Sequence, residues 1–204
     1  MNATEAVVME LCQARRALAG LDRHIGGLAI WAQLLFERLS AGQRLLAAGN
    51  GGSAAHAQHL TSELVGRFCH ERPPFSAIAL AAESSAMTAI GNDYGFVEVF
   101  ARQVEGHGRP GDVFLAISTS GASPNLLTAA DRARATGLTT MALTGPGPNP
   151  LATQVDHWIG VDAASTAAVQ DAHQVVVHAV CAAFDAVLEQ QARDEGSRRW
   201  SASR

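Results

Sequence analysis

Two loops rich in glycine and serine have the composition of a binding site for a phosphate group. Residues 49–53 have the sequence Gly-Asn-Gly-Gly-Ser, and residues 118–123 have the sequence Ser-Thr-Ser-Gly-Ala-Ser. Glycine lets the backbone approach a ligand closely, and a helix N-terminus offers free N–H groups and a partial positive charge. Neither loop contains the Walker lysine or the GxGxxG pattern. Either loop alone could simply turn the chain and cap a helix, but the two together predict a phosphate site unlike that of an NTPase or a dinucleotide enzyme.

A second group of residues has side chains that could bind a metal or move protons. His59 and Glu63 are four residues apart and therefore share one face of a helix, whereas Gln170 and His178 are eight residues apart, slightly more than two turns. Zn²⁺ prefers imidazole and carboxylate ligands, and glutamine is a rarer ligand. His56, one turn before His59, is either a further ligand or a residue of the site's rim. A surface His–Glu pair is the commoner explanation of this spacing, which alone leaves metal binding open.

Short apolar runs alternate with stretches of helical periodicity after residue 40. The predicted strands are residues 44–48, 77–80, 113–117, 140–143 and 158–161, and the predicted helices are residues 56–65, 85–90, 96–105, 124–136, 149–155 and 167–192. Near-continuous apolar strands are typical of a parallel sheet that is covered on both faces. The pattern predicts a doubly wound, flavodoxin-like α/β fold, a three-layer α/β/α sandwich with a five-stranded parallel sheet. Ligands bind at the carboxyl ends of such strands, which is where both loops lie.

The beginning of the chain has a different pattern. Residues 4–39 have helical periodicity, and glycines at positions 20, 26 and 27 predict a break between two helices. A long amphipathic start of this kind commonly packs on another helix or another subunit. We therefore divide the 204 residues into N-terminal helices for oligomerisation (1–40), one α/β domain (41–194) and a polar, flexible tail (195–204).

Composition and charge exclude several classes of protein. The chain is 48% hydrophobic and 17% charged, with a net charge of −4 and no dense run of Lys and Arg, so neither wholesale disorder nor a nucleic-acid groove is expected. Its three cysteines are far apart, which disfavours a disulfide framework and a cysteine zinc site and fits a reducing cytoplasm. The N-terminus has no signal-peptide pattern, and the apolar runs are broken before about 18 residues, so we expect no membrane span.

A series of short motifs along the chain is similar to one known family. The motifs are Asn50-Gly51-Gly52-Ser53-Ala54-Ala55, Gln58-His59, Ser62-Glu63-Leu64, Gly66-Arg67-Phe68, Gly91-Asn92-Asp93-Tyr94, Gly111-Asp112, Ala116-Ile117-Ser118-Thr119-Ser120-Gly121 and Gln170 with His178. Over about residues 5–190, the chain resembles the sugar-isomerase (SIS) domain of the phosphoheptose isomerases. The resemblance implies a homotetramer with a helical core and active sites between subunits, which converts D-sedoheptulose 7-phosphate to D-glycero-D-manno-heptose 7-phosphate.

The same resemblance implies roles for individual residues. Glu63 and His178 match the catalytic pair, and the ligands of one Zn²⁺ per subunit match His59, Glu63, Gln170 and His178. The implied substrate-contacting positions are Asn50, Gly51, Gly52, Ser53, Glu63, Arg67, Asn92, Asp93, Ser118, Thr119, Ser120, Ser123 and Gln170. The chain departs from the family's usual pattern at Ala168, Val169 and Asp171 and in the Gly-Pro-Gly-Pro loop at residues 145–148, so the exact substrate stays open.

The implied reaction needs an acid and a base. An aldose–ketose interconversion moves one proton between C1 and C2 through a cis-enediolate, while an acid serves the oxygens. We assign Glu63 as the base and His178 as its partner at the oxygens or the ring, with the reverse assignment left open. Zn²⁺ would polarise the substrate oxygens, although a residue bound to the metal is a poorer free base. The serines at positions 53, 118, 120 and 123 are expected to hold the 7-phosphate.

Three other interpretations stay open. Initiator-associating proteins, which bind the replication initiator DnaA as tetramers, are similar to this chain through residues 53–68 and 118–121. A sugar-phosphate sensor would need the phosphate loops but no acid–base pair. An isomerase of a specialised pathway, for a heptose or an aminocyclitol-linked sugar, would keep the chemistry and make a different product.

Overall fold

Five parallel strands form the central sheet of the computed structural model, which describes the backbone of residues 1–202 and the side chains of residues 1–194. The strands are β1 (Leu45–Gly49), β2 (Ala77–Ala79), β3 (Val113–Ser118), β4 (Thr139–Thr144) and β5 (His157–Gly160). Their order is β2-β1-β3-β4-β5, and every neighbouring pair is parallel. The five predicted strands and the predicted fold class are confirmed. The direction of winding reverses between β1 and β3, and the carboxyl ends of these two strands therefore frame the crevice where such folds bind ligands.

The helices follow the prediction with differences at their ends. In the described part of the chain they are α1 (Ala3–Ala19), α2 (Ile25–Ser40), α3 (Gly52–Val65), α4 (Ser84–Tyr94), α5 (Ala101–His107), α6 (Pro124–Thr136), α7 (Pro150–Gln154) and α8 (Thr166–Ala202), with 3₁₀ turns at Gly20–His24 and Phe96–Glu98. The first of these turns is the predicted break between two helices. α3 begins four residues before its predicted start, because Gly51 makes the preceding turn at a φ of +54°, a conformation that favours glycine.

Helices cover both faces of the sheet and enclose one apolar core on each. On the first face, side chains of α1, α2, α3 and α8 surround Leu45, Leu115 and Ile117. On the second face, α5 and α6 cover Leu46 and Phe114. Successive residues of a strand point to opposite faces, which explains why Leu45 and Leu46 belong to different cores. The first face also brings α3 and α8 into direct contact.

The N-terminal helices and α8 belong to one packed unit. Ala17, Leu28 and Trp31 are buried in the first core, where α1 and α2 contact α8. By length and composition alone, Thr166–Asp194 would suffice to cross a membrane, but Val169, Val176, Val180 and Phe184 are buried in this core, so we assign α8 as a core helix. The backbone of α8 extends beyond the predicted helix end at residue 192, and the side chains of the predicted flexible tail, 195–204, lie outside the described residues.

Candidate active site

The first predicted phosphate loop connects β1 to α3. Ser53 is buried in the first turn of α3, and its backbone N–H donates to the carbonyl oxygen of Asn50 at 3.0 Å. Gly52 begins the helix, and the side-chain Nε2 of Gln170 lies 2.6 Å from the point that a Cβ on Gly52 would occupy. A larger residue at position 52 would therefore displace Gln170, which makes Gln170 part of this loop's surroundings.

The second predicted phosphate loop connects β3 to α6 and gathers three hydroxyl groups. The Oγ atom of Ser118 lies 3.5 Å from the Oγ atoms of both Ser120 and Ser123. The backbone N–H of Gly121 donates to Ser118 Oγ at 3.1 Å, and Gly121 has a φ of +61°. Thr119 is half-buried within the loop. Clustered hydroxyl donors beside a helix N-terminus suit the oxygens of a phosphate ester.

A pair of asparagines joins the two loops. Asn50 Nδ2 donates to Asn125 Oδ1 at 3.0 Å, and Asn125 Nδ2 donates to Asn50 Oδ1 at 2.9 Å. Asn125 is buried at the start of α6. The carboxyl ends of β1 and β3 are thus tied by two amide hydrogen bonds. The sequence analysis missed Asn125, because a polar residue in the first turn of a helix has many ordinary explanations.

The predicted acid–base residues meet where α3 and α8 pack together. The Nε2 atoms of His59 and His178 are 2.9 Å apart, and Glu63 Oε1 lies 3.5 Å from His59 Nε2. The Nε2 atom of Gln174, one turn before His178, is 3.0 Å from His178 Nε2. The ring of Phe68 lies against that of His178, with centroids 5.7 Å apart. One carboxylate and two imidazoles therefore face a common point at the edge of the crevice.

The predicted zinc ligands are only partly brought together. Among the described residues, Gln170 lies beside Gly52 and has no recorded contact with His59, Glu63 or His178. Gln170 and His178 are about 12 Å apart along α8, since each residue adds about 1.5 Å. The glutamine beside His178 is Gln174, and the ligand role of Gln170 stays a prediction. The i, i+4 spacing of Gln174 and His178 could have identified it, because residues one turn apart share a helix face.

The donor atoms of this cluster suit zinc in type and in spacing. Two nitrogen donors on a tetrahedral zinc, with bonds of about 2.05 Å, are about 3.3 Å apart. The 2.9 Å between the two Nε2 atoms and the 3.5 Å from His59 Nε2 to Glu63 Oε1 are close to that spacing. Among the residues with described side chains, however, no group of three or more His, Cys, Asp or Glu residues is placed so that it could hold a metal ion. His59, Glu63 and His178 have the donor types that zinc prefers and are its candidate ligands, but they do not form a metal site in the arrangement seen here.

Three other predicted residues lie on the surface of the single chain. Arg67 is exposed and donates to the carbonyl oxygen of Cys69 at 3.4 Å. Asn92 and Asp93 are exposed in the last turn of α4, where Asn92 Nδ2 donates to Asp93 Oδ1 at 2.8 Å. α4 continues four residues past its predicted end at residue 90. Among the described residues, none of the recorded contacts joins these three side chains to the two loops.

Two histidines lie beneath the site and are held neutral. His173 is fully buried, and its Nε2 donates to the carbonyl oxygen of Thr144 at 3.0 Å. Burial lowers the pKa of His173 to about 4, against a smaller opposing effect of that hydrogen bond. Burial, with a smaller contribution from His59, also lowers the pKa of His56, whose ring lies 6.3 Å from that of His173. His56 therefore packs on His173, the buried histidine of α8.

The arrangement separates the first predicted phosphate loop from the predicted acid–base residues along one helix. Gly52 and His59 are both on the face of α3 that meets α8, and seven residues separate them, a distance of about 10 Å. A phosphate at the helix start would leave the other end of a long, extended substrate beside Glu63, His59 and His178. A carboxylate and an imidazole at that end can remove and return a carbon-bound proton.

Comparisons with known proteins agree with this geometry. A model of the SIS domain family matches residues 13–145, which include both loops and the His59–Glu63 pair. The phosphoheptose isomerase of Streptomyces coelicolor is 64% identical over 159 residues, which are 78% of this chain and 69% of that protein. The structure of a phosphoheptose isomerase from Francisella tularensis has a TM-score of 0.86 and 33% identity, covering 91% of this chain and 99% of that chain. The phosphoheptose isomerase structure from Neisseria gonorrhoeae has a TM-score of 0.84 and 36% identity, covering 91% of this chain and 100% of that chain.

Proposed function

The chain belongs to the phosphoheptose isomerase family of SIS-domain proteins, and we propose that it converts D-sedoheptulose 7-phosphate to D-glycero-D-manno-heptose 7-phosphate through a cis-enediolate. Its similarity to phosphoheptose isomerases supports the activity of a sugar-phosphate isomerase. The observation that carries the finer proposal is the separation of about 10 Å between Gly52 and His59 on one face of α3. A triose phosphate is too short to bridge it, whereas an extended heptose phosphate has the phosphate and the reacting carbons at opposite ends.

The residues near the loops bind and orient the substrate. Ser118, Ser120 and Ser123 donate to the phosphate oxygens, and the partial positive charge at the N-terminus of α3 attracts the phosphate. Gln170 lies beside Gly52 and binds substrate hydroxyls next to this loop. Binding energy from this remote phosphate positions C1 and C2 beside the acid–base residues.

Glu63 and His178 carry out the proton transfers. Glu63 removes the proton from C1 or C2 and returns it to the neighbouring carbon, and His178 exchanges protons with the substrate oxygens. His59 and Gln174 contact His178 Nε2 and so orient its ring. A zinc ion held by His59, Glu63 and His178 would act as a Lewis acid on the substrate oxygens.

The active protein is proposed to be a cytoplasmic homotetramer with active sites between subunits. Val7, Leu11, Ile25 and Ile30 on α1 and α2 are each more than half exposed in the single chain. Exposed apolar side chains on neighbouring helices favour burial against another subunit. Asn92 and Asp93 are exposed in the single chain, and we propose that they contact substrate in a neighbouring subunit's site.

The experiment that tests the function is a direct assay. The purified protein is incubated with sedoheptulose 7-phosphate, with added Zn²⁺ or with a chelator, and the aldoheptose phosphate is followed by NMR. We expect turnover that depends on the metal and is lost in Glu63→Gln. Glu189→Gln, which changes an exposed carboxylate on α8, is the matched control and should retain turnover. No turnover in either condition, with the phosphate ester still bound, would contradict the proposal and favour a sensor or a DnaA-binding protein; retention on immobilised DnaA separates these two.

A further inference from the structure

A buried ion pair connects the loop after α3 to α8. Arg72 Nε lies 2.8 Å from Asp185 Oδ1, and the two side chains are only 4% and 10% exposed. The Arg72 guanidinium also lies near the rings of Phe75 and Phe184, at 5.4 and 5.6 Å from their centroids. Neither charged residue belongs to the phosphate loops or to the His59–Glu63–His178 cluster.

Arg72 also binds the end of the helix that carries Glu63. Its Nη2 donates to the carbonyl oxygen of Glu63 at 2.6 Å, and its Nη1 donates to the carbonyl oxygens of Leu64 at 3.0 Å and Pro73 at 3.2 Å. The last carbonyl groups of a helix have no partner within the helix. The planar guanidinium therefore fixes the backbone of Glu63 itself, not just the loop that follows.

Asp185 places this connection on the functional face of α8. It is seven residues, or two turns, after His178, and residues at that spacing lie on the same side of a helix. One guanidinium thus holds the backbone of Glu63 on α3 and a side chain on the His178 face of α8. Through Arg72, the two helices that carry the acid–base pair are joined by hydrogen bonds in addition to apolar packing.

A contribution to the stability of the fold does not by itself explain the Arg72–Asp185 ion pair. Asp185 Oδ2 is buried and has no hydrogen-bond partner among the described residues. The desolvation of a buried ion pair often outweighs its attraction, and apolar residues of similar volume are often as stable. A buried pair with an unsatisfied carboxylate oxygen is better explained by the geometry that it imposes.

We propose that Arg72 is a positioning residue that, with Asp185, sets the distance between Glu63 and His178. The proposal rests on the roles proposed above for Glu63 and His178. A displacement of about 1 Å of a reacting group can lower a rate by about 100-fold, so a contact to the Glu63 backbone is well placed to control turnover.

The first test is Arg72→Lys. Lysine keeps the positive charge beside Asp185 but lacks the planar fork that reaches Glu63 and Leu64 at the same time. We expect kcat to fall by about 10- to 100-fold, with KM changed by less than about threefold because the phosphate loops are untouched. Arg44→Lys is the matched control. Arg44 binds Asp112 at the amino ends of β1 and β3, the opposite edge of the sheet, and this variant should keep the wild-type kcat.

The second test separates positioning from folding. In the double variant Arg72→Met, Asp185→Leu, apolar side chains replace the pair, and we expect the thermal midpoint to stay within about 5 °C while kcat falls as in Arg72→Lys. A kcat within about twofold of wild type in either folded variant would overturn the proposal. If the double variant does not fold, Arg72→Lys decides.

A third readout does not depend on the assay. Failure of the wild-type protein to isomerise sedoheptulose 7-phosphate would reject the proposed function. NMR spectra of isotope-labelled histidine would then still decide the structural claim, because Arg72→Lys should shift the ring signals of His59 and His178 and leave that of His107 unchanged. Unchanged signals for His59 and His178 would overturn the proposal.

Discussion

The Nε2 atoms of His59 and His178 lie 2.9 Å apart, although 119 positions separate the two residues in the chain. A neutral imidazole nitrogen either carries a proton and donates or lacks one and accepts. Without a metal ion between them, the contact therefore requires one Nε2 atom of each kind. The protonation pattern of one ring fixes that of the other, and the two histidines should function as a unit.

The first prediction concerns that unit. His178→Ala should lower kcat by about 100- to 10,000-fold, the usual range for loss of a general acid or base. His59→Ala should also lower kcat, and the double variant should be no slower than His178→Ala, because residues that act together give non-additive losses. Steady-state kinetics of the three variants check this. If the losses of kcat in the two single variants multiply in the double variant, the histidines act independently. His70→Ala, at an exposed position, serves as the control.

The second prediction distinguishes the two glutamines of α8. Gln174→Leu should lower kcat by about 3- to 10-fold with little change in KM, because it removes a hydrogen bond that orients His178. Gln170→Leu should mainly raise KM, because Gln170 lies beside the first phosphate loop. The zinc content of both variants, measured by mass spectrometry, tests the ligand role that the sequence predicts for Gln170. Loss of zinc in Gln170→Leu alone would show that Gln170 moves to the metal.

The third prediction concerns the phosphate. Ser120→Ala removes an exposed hydroxyl of the second loop and should raise KM by about tenfold, with kcat and zinc content nearly unchanged. Titration with inorganic phosphate as a competitor should show the same weakening. Thr128→Ala, on the exposed side of α6, is the control. If Ser120→Ala instead removed the metal, the phosphate would have been assigned to the wrong end of the crevice.

The fourth prediction is a loss of stability in acid caused by His173. The unfolded chain protonates this histidine near pH 6.5, whereas the folded chain keeps it neutral until about pH 4. The unfolded state therefore binds more protons between these values, so the free energy of unfolding falls as the pH decreases from 6.5 to 4. The full effect is about 3 kcal/mol.

Urea unfolding at pH 7.5 and pH 5.0 measures this effect. His173→Gln keeps an amide donor for the Thr144 carbonyl but cannot titrate, so it should lose less stability between the two pH values than wild type does. The lowered pKa of His56 acts in the same direction and remains in both proteins. Equal losses in the two proteins would assign the acid sensitivity to other groups.

The sheet was predictable because its three central strands are buried on both faces. Val113–Ser118 is buried along its whole length, so the apolar run itself marks the strand. The helix pair His59 and Glu63 was predictable for a similar reason, since spacing within one helix is visible in the sequence. Helix ends were less predictable, as the start of α3 shows, because a glycine pair is compatible with either a loop or a first helical turn.

The supporting contacts were not predictable from spacing. Asn50 pairs with a residue 75 positions away, and Arg72 with one 113 positions away. Such pairs depend on how two helices pack, which periodicity within either helix does not specify. The contact between Gln170 and Gly52 was not predictable for the same reason, and the ligand role of Gln170 stays a prediction.

The paired amides of Asn50 and Asn125 have a consequence for the thermodynamics of ligand binding. A flexible loop loses conformational entropy when it closes on a ligand, and that loss weakens the affinity. Here two reciprocal hydrogen bonds hold both glycine-containing loops in place before any ligand arrives. The proposed phosphate site is thus pre-organised, so association should proceed without a slow ordering step and without the entropy loss that would weaken the affinity.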